Sequence, residues 1–522
     1  MKKLFVLICF MLSTSLNAAE MQNIGTINFE NSGAQEAQEH FQRGVAILHS
    51  FGWKQAISEF RAAQRIDPDF AMAYWGESLC YNHPLIPEQD RASPTAALER
   101  LGKDLEERLQ KAPTDREKGF VMAVEALFIT KGSIAERRIA YKNEMQRLYS
   151  RYQDDEVSTF YALSLLSAAG ASGDERMGMN VLAGSIAERV FRDNQNHPGA
   201  AHFVIHSFDD PLHAPLALDA AKKFANIAPL VSHARHMPSH IFIQHGMWKE
   251  VSTSNQSAFD AANELWEQGD SVGDMVHALG WGQYGDLQRA DYKRARLWIE
   301  RLNDIIDADN STVRGGFPAA LATVKARYIV ESEQWKTVEV SSQSSTSTLL
   351  ATGISAINMG KIKLAKKVEN LLSAKVKNLK KKEKRAYARG PIPTEIALKE
   401  ISALLSFSKG KESRALKFLA EGVALAAELR PPNGTPNPLK PVHELYAEVL
   451  FDMGRYEESM EMFASALKRR PNRPRSLLGL ARVYVKLGNK AMASNYYSRV
   501  SKIWQAGEED LTEVNLYLGA GL

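Results

Sequence analysis

The stretch that decides the fold is HELYAEVLFDMGRYEESMEMFASALKRRP, residues 443–471. Its Gly454, Ser459, Phe463 and Ala466 return 34 residues later as Gly488, Ala493, Tyr497 and Val500. Small and aromatic residues at fixed slots are what two antiparallel helices need where they cross closely. A fixed period in this range is the mark of a repeat architecture, in which each unit is one supersecondary hairpin. FQRGVAILHSFGWKQAISEFRAAQRIDP, residues 41–68, keeps the same frame through Gly44, Ala56, Phe60, Ala63 and Pro68. In the centre, Ile205, Ala217, Phe224 and Pro229 hold equivalent slots, then Ser239, Trp248, Val251 and Ala258, with a looser unit around Ala295.

This 34-residue pattern resembles the tetratricopeptide repeat. The frames run near 37–70, 71–104, 198–231, 232–265, 274–307, 440–473 and 474–507. The resulting organisation is an N-terminal repeat block at 36–104, divergent helices at 105–197, and a His-rich repeat block at 198–307. A divergent helical segment at 308–430 and a C-terminal repeat pair at 440–507 complete it. The expected fold is all-α: a solenoid of helix hairpins winding into a right-handed superhelix with a concave groove, each hairpin burying its apolar face on its neighbours. Ser341–Thr348 (SSQSSTST) reads as a flexible linker. PPNGTPNPLKP at 431–441 reads as a proline-rich loop leading into the last two repeats.

Composition narrows the function classes. Of 522 residues, 44% are hydrophobic and 24% charged, an ordinary globular balance. Lys+Arg 65 against Asp+Glu 61 argues against a dedicated nucleic-acid binder. Lys2 and Lys3, the apolar run Leu4–Leu16 and Asn17-Ala18-Ala19 have the layout of a secretory signal peptide, residues 1–19, cleaved near Ala18/Ala19. The expected address is therefore the periplasm or the exterior, with no transmembrane segment. Cleavage removes Cys9 and leaves Cys80, inside an apolar helix, as a buried structural thiol. Lys361–Arg389 carries twelve Lys/Arg against two Glu. A solvated helix face or exposed hairpin is the plain reading; contact with an anionic surface is the sharper one.

The histidines are concentrated. Eight of thirteen fall between His197 and His245. His202 and His206 stand at positions 5 and 9 of one repeat, and His236 and His240, 34 residues on, at positions 5 and 9 of the next. An i, i+4 spacing puts both rings of a pair on one helix face. Side-by-side first helices would make a two-by-two array. The resemblance to tetratricopeptide repeats further implies that these positions face the groove. His202, His206, His233, His236 and His240 would then line it, with Asp209 and Asp210 beside them and His277 at its edge. His49 and His83, also 34 apart, share position 13 of their repeats.

Two functional readings follow, and the sequence leaves both open. One is a scaffold that binds a peptide or protein partner in the histidine-lined groove. The other is a metalloprotein, acting as carrier, sensor or hydrolase. It would hold a divalent transition metal (Zn, Cu, Ni or Fe) on His202, His206, His236 and His240, since neutral imidazole suits those ions. A third reading, a pH-responsive contact, rests on repulsion among protonated imidazoles. No complete catalytic motif is present. His443-Glu444 opens like a zinc-protease helix, but Ala447 stands where the second histidine belongs. Trp75, Trp248 and Trp281 read as packing residues.

The blocks HPGAAHFVIHSFDDP, HARHMPSHIFIQHGMW and MVHALGWGQYGDL are similar to a secreted bacterial tetratricopeptide family with a His-Met-Pro-Ser-His-Ile block. The positions matching that pattern are His197, His202, His206, His233, His236, His240 and His277. The resemblance implies fold and site residues, and supplies no reaction.

Overall fold

The structure is a computed structural model. It describes residues 23–85, 90–268, 270–308, 317–382, 390–505, 507 and 512–519; residues 1–19, expected to be a signal peptide, and residues 383–389 of the Lys-rich stretch lie outside these. Every regular element among the described residues is a helix, and most are antiparallel hairpins of about ten to twenty residues a side, so the all-α helical-repeat expectation holds. The chain divides into two compact units. The first takes residues up to Asp209 with His213–Ile241 and Asp260–Leu265; the second takes Asp210–Leu212, Phe242–Phe259 and Trp266 onward.

The 34-residue pattern has a direct packing cause. In the first unit a Cβ at Gly44, on helix Gln38–His49, would lie 2.9 Å from Phe60 of helix Trp53–Ile66. A Cβ at Gly76 of the following helix would lie 2.3 Å from the same ring. Phe60 is fully buried between the two glycines. The second unit repeats this arrangement. Gly282 faces Trp298, and Gly479 faces Phe463, each with a virtual Cβ inside 3 Å of the ring. An aromatic on one helix thus occupies the space a small residue leaves on its neighbour, which is how close-packed interiors avoid voids.

Hairpin turns carry a second rule. Gly360, Gly410, Gly454 and Gly488 have positive φ just past the end of a first helix, where a left-handed residue closes the helix. In the first hairpin that slot holds Phe51, at φ 61°.

The first unit is centred on an aromatic cluster of Phe29, Phe41, Trp75, Phe120 and Phe160 with ring centroids 4.9–6.4 Å apart. Phe29 comes from the extended segment ahead of the first helix. Cys80 is buried as expected, with its thiol pushed well above the usual range by burial and then by Glu77. In the second unit the fully buried Arg473 donates to Glu444 at 2.7 and 3.0 Å and to Glu331 at 3.0 Å. Ser476 donates to Glu444 at 2.5 Å. Glu444 therefore serves an internal ion pair.

Two sequence expectations are refined here. Ser341–Thr348 is no free linker along its length: Ser345 caps helix Thr346–Asn358, its Oγ accepting from Thr348 N at 3.0 Å. The Lys-rich stretch forms helix Ile362–Lys382, which buries Ala365, Val368 and Leu372 and leaves Lys366, Lys367, Lys377, Lys380 and Lys381 exposed, Lys380 reaching Glu395 at 2.6 Å.

Candidate metal centre

Helix Pro198–Ser207 starts at His197, whose Nδ1 accepts from Ala200 N at 3.1 Å, with Pro198 in the first helical position where no N–H is needed. It presents His202 and His206 one turn apart, ring centroids 4.7 Å from each other. Helix Ser232–His236 carries His233 and His236. Pro238 interrupts the ladder and starts helix Pro238–His245, which carries His240.

These elements bring the imidazoles together in a pattern the repeat frame only half predicts. His202 Nε2 lies 3.1 Å from His233 Nε2. The ligand atoms of His202, His206 and His233 all fall within 4.8 Å of one another. His236 Nε2 lies 3.0 Å from His240 Nε2, so the expected i, i+4 pairing holds there too. The two groups adjoin through His206 and His240, centroids 6.1 Å apart, and through His233 and His236 at 6.2 Å. The expected quartet of His202, His206, His236 and His240 is thus regrouped: His233 completes the trio with the first pair.

The outward nitrogens are held in place. His202 Nδ1 is 2.6 Å from the carbonyl oxygen of His49, an acceptor only, so Nδ1 donates and Nε2 keeps its lone pair. His240 Nδ1 is 2.6 Å from Asp209 Oδ2, which sets the same tautomer. A carbonyl or carboxylate on the far nitrogen is the usual support of a metal-ligating histidine. His206 Nε2 is buried and has no hydrogen-bond partner. Burial pushes His202 down to about 3; the hydrogen bond to the His49 carbonyl opposes this, and the charges of the His49 and His240 rings add to the lowering. His206 is also held well below its usual value, by burial first and then by the four neighbouring histidines. Both rings are therefore neutral, the form that ligates metal.

Behind the trio lies a wholly buried support that the sequence reading did not assemble. His49 Nε2 lies 2.8 Å from Glu156 Oε2, and His197 Nε2 lies 3.3 Å from Glu156 Oε1 without hydrogen-bond alignment. Burial alone would push Glu156 up; His49 and His197 outweigh it and hold the carboxyl well below the usual range. Glu156 thus fixes the ring of the residue whose carbonyl fixes His202. Gly199 makes room for this, since a Cβ there would sit 2.3 Å from His49 Nδ1. Phe51 closes the trio from the hairpin turn, 4.4 Å from His202, 5.2 Å from His233 and 6.0 Å from His206 by ring centroids. The 34-residue spacing of His49 and His83 pointed at His49. No spacing pointed at Glu156 or Phe51.

Asp210 is buried and accepts from Leu212 N at 2.8 Å. His277 stands on helix Gly273–Gln288 of the second unit, its ring 6.2 Å from Trp281. His83 stacks on Trp53 with centroids 4.9 Å apart. Trp75, Trp248 and Trp281 are all buried packing residues.

Residues 450–503 match the tetratricopeptide repeat family model. No curated protein matches the chain. Similar solved structures include the Cut9–Hcn1 hetero-tetramer of the APC/C, at 11% identity and TM-score 0.31, covering 99% of this chain and 82% of that one. Another is the human IFIT1 dimer with m7Gppp-AAAA, at 11% identity and TM-score 0.33, covering 91% of each chain. The P58(IPK) TPR domain stands at 12% identity and TM-score 0.23, covering 87% of this chain and 98% of that one. No described helix is long and apolar enough to cross a membrane.

Proposed function

We propose that this chain is a repeat scaffold built around a transition-metal centre, with His202, His206 and His233 as the ligands. The observation that carries the reading is the approach of His202 Nε2 and His233 Nε2 to 3.1 Å while His202 Nδ1 is committed to a carbonyl. Two tetrahedral ligands at the usual Zn–N length of about 2.0–2.1 Å stand roughly 3.3 Å apart, so these nitrogens already have the spacing of a shared ion. His206 Nε2, buried without a partner, is the third donor. An all-nitrogen trio suits zinc first, with copper, nickel and iron as competitors. Three protein ligands leave a coordination position for water or an incoming group, which is the arrangement of a metal site that exchanges ligands.

Protein interaction is the role of the scaffold itself. Tetratricopeptide repeats such as the one at 450–503 present extended surfaces to partner proteins. The partner here is a peptide or protein meeting the chain in the periplasm, once residues 1–19 are removed. The basic start and apolar run of that segment support the address.

The deciding experiment is elemental analysis of the mature protein purified without chelator, beside His206→Ala and His233→Ala variants. Near-stoichiometric metal that either substitution removes supports the centre. A wild type that stays metal-free after incubation with zinc, copper, nickel and iron overturns it and leaves the interaction scaffold alone.

A further inference from the structure

The proline-rich segment 431–441 is more than a connector. Its backbone is pinned from several sides within the second unit: Arg470 donates to Gly434 O at 2.7 Å, Gln244 to Pro432 O at 2.8 Å, and Arg327 to Thr435 Oγ1 at 3.1 Å. Held this way, the loop forms one wall of an open pocket with a cavity volume of about 60 Å³. Ile396, Leu429 and Val442 supply apolar surface, and Arg469, Arg470 and His443 supply the polar groups.

The charge balance of those polar groups is unusual. Arg469 donates to Ala426 O at 3.2 Å and Arg470 to Gly434 O, and among the described residues neither has a carboxylate in ion-pair contact. Glu331, the acidic group whose charge reaches Arg470, is itself engaged by Arg473 at 3.0 Å. Burial lowers the affinity of both guanidinium groups for their protons, and it pushes His443 down to about 4, with Arg469 adding to the effect. A guanidinium nevertheless stays charged at any physiological pH. The pocket therefore holds two cations short of counter-charge beside a neutral imidazole. Partly desolvated guanidinium groups whose partners are neutral carbonyls lack counter-charge, and a planar anion that they can fork onto supplies it.

We propose that this pocket binds a small organic carboxylate, its carboxylate taken by Arg469 and Arg470 and its short apolar part lying along Ile396, Leu429 and Val442. The cavity volume of about 60 Å³ sets the size class: at roughly 10–15 Å³ for each water-sized occupant it takes about four to six, the bulk of a small acid. Four prolines in the wall give a rigid rim that loses little freedom on binding. The carboxylate can come from a free branched-chain acid or from the terminus of a short peptide ending in an apolar residue.

The test is calorimetric titration of the full chain with 4-methylpentanoate, and in parallel with 4-methylpentanamide, inorganic phosphate and the dipeptide Ala-Leu with a free or amidated terminus. The acid binds, and the isosteric amide binds at least about ten-fold more weakly, the worth of one charge-assisted hydrogen bond. Arg469→Gln weakens the acid by a similar factor. Leu429→Trp, which fills the apolar end, abolishes binding while leaving the thermal transition in place. Tighter binding of free-terminus Ala-Leu than of 4-methylpentanoate makes the source a peptide terminus; the reverse order makes it a free acid. Equal binding of acid and amide overturns the proposal. So does phosphate binding that depends on Arg469 when the acid does not bind, or an absence of saturation by any of these ligands in the millimolar range. The amide comparison uses the unaltered protein, so it holds even where a substitution disturbs folding.

Discussion

Gly199→Ala is the sharpest perturbation the structure offers, because one methyl group strikes the support of the histidine trio without touching a ligand. The new Cβ would sit 2.3 Å from His49 Nδ1, 2.7 Å from Cγ and 2.8 Å from Cε1, where ordinary contact begins at 3.4 Å. The ring must retreat by about 1 Å, and it is the far end of no flexible chain: it is buried and tied to Glu156 at 2.8 Å. Overpacking of this kind costs about 1–3 kcal/mol. Weakening the contact of a buried carboxylate adds about 1–3 kcal/mol, for a total on the order of 2–6 kcal/mol. The displacement also carries to the His49 carbonyl that holds His202 Nδ1, and loss of such a support typically costs about 10–100-fold in metal affinity.

Gly178→Ala provides the contrast: Gly178 lies on the exposed face of helix Arg176–Asp193 with nothing within 4 Å of the added methyl. That change is stabilising by about 0.4–1 kcal/mol through helix propensity and unfolded-state entropy. Urea unfolding of both variants and zinc titration against a chromophoric chelator read the two effects. A Gly199→Ala protein within about 0.5 kcal/mol of wild type, the ordinary range of surface substitutions, would refute the packing argument. Unchanged zinc affinity in a destabilised variant would refute the link from His49 to His202.

Three further outcomes follow from particular residues. Phe51→Gly is more stable than Phe51→Ala by about 1 kcal/mol, the reverse of the usual helix order, because glycine tolerates the left-handed slot that alanine does not; equal midpoints in urea would deny Phe51 its positive φ. Arg473→Met costs about 3–5 kcal/mol, since it strands Glu331 as a buried charge and leaves Glu444 to Lys440, and Arg473→Met/Glu331→Gln recovers part of the loss; a double variant no better than the single one would argue against the ion pair. The unfolded chain takes up a proton at His443 near pH 6.5, whereas the folded imidazole waits until about 4. The stability this group contributes is therefore complete above 6.5 and is lost as pH falls through that window, on the order of 1–2 kcal/mol after allowance for partial solvent screening. His443→Gln should flatten unfolding midpoints between those pH values, and an unaltered slope would count against the assignment.

The sequence by itself determined the hairpins and much of the ligand supply. Gly44 with Phe60, and Phe463 with Gly479, are close contacts between neighbouring helices of a repeat, and such contacts recur at the repeat period and can be read off it. His202 with His206, and His236 with His240, are one-turn neighbours for the same reason. What only the tertiary structure decided is which pair receives His233, where Glu156 and Phe51 enter, and how the proline-rich loop walls a cationic pocket. His49 meets Glu156 across 107 positions and His202 across 153. Those separations are set by connections of unequal length, so no fixed spacing encodes them. Local periodicity specifies how a hairpin closes on itself and its neighbour. The meeting of distant hairpins depends on how all of the intervening chain packs, and that information is distributed over the whole sequence.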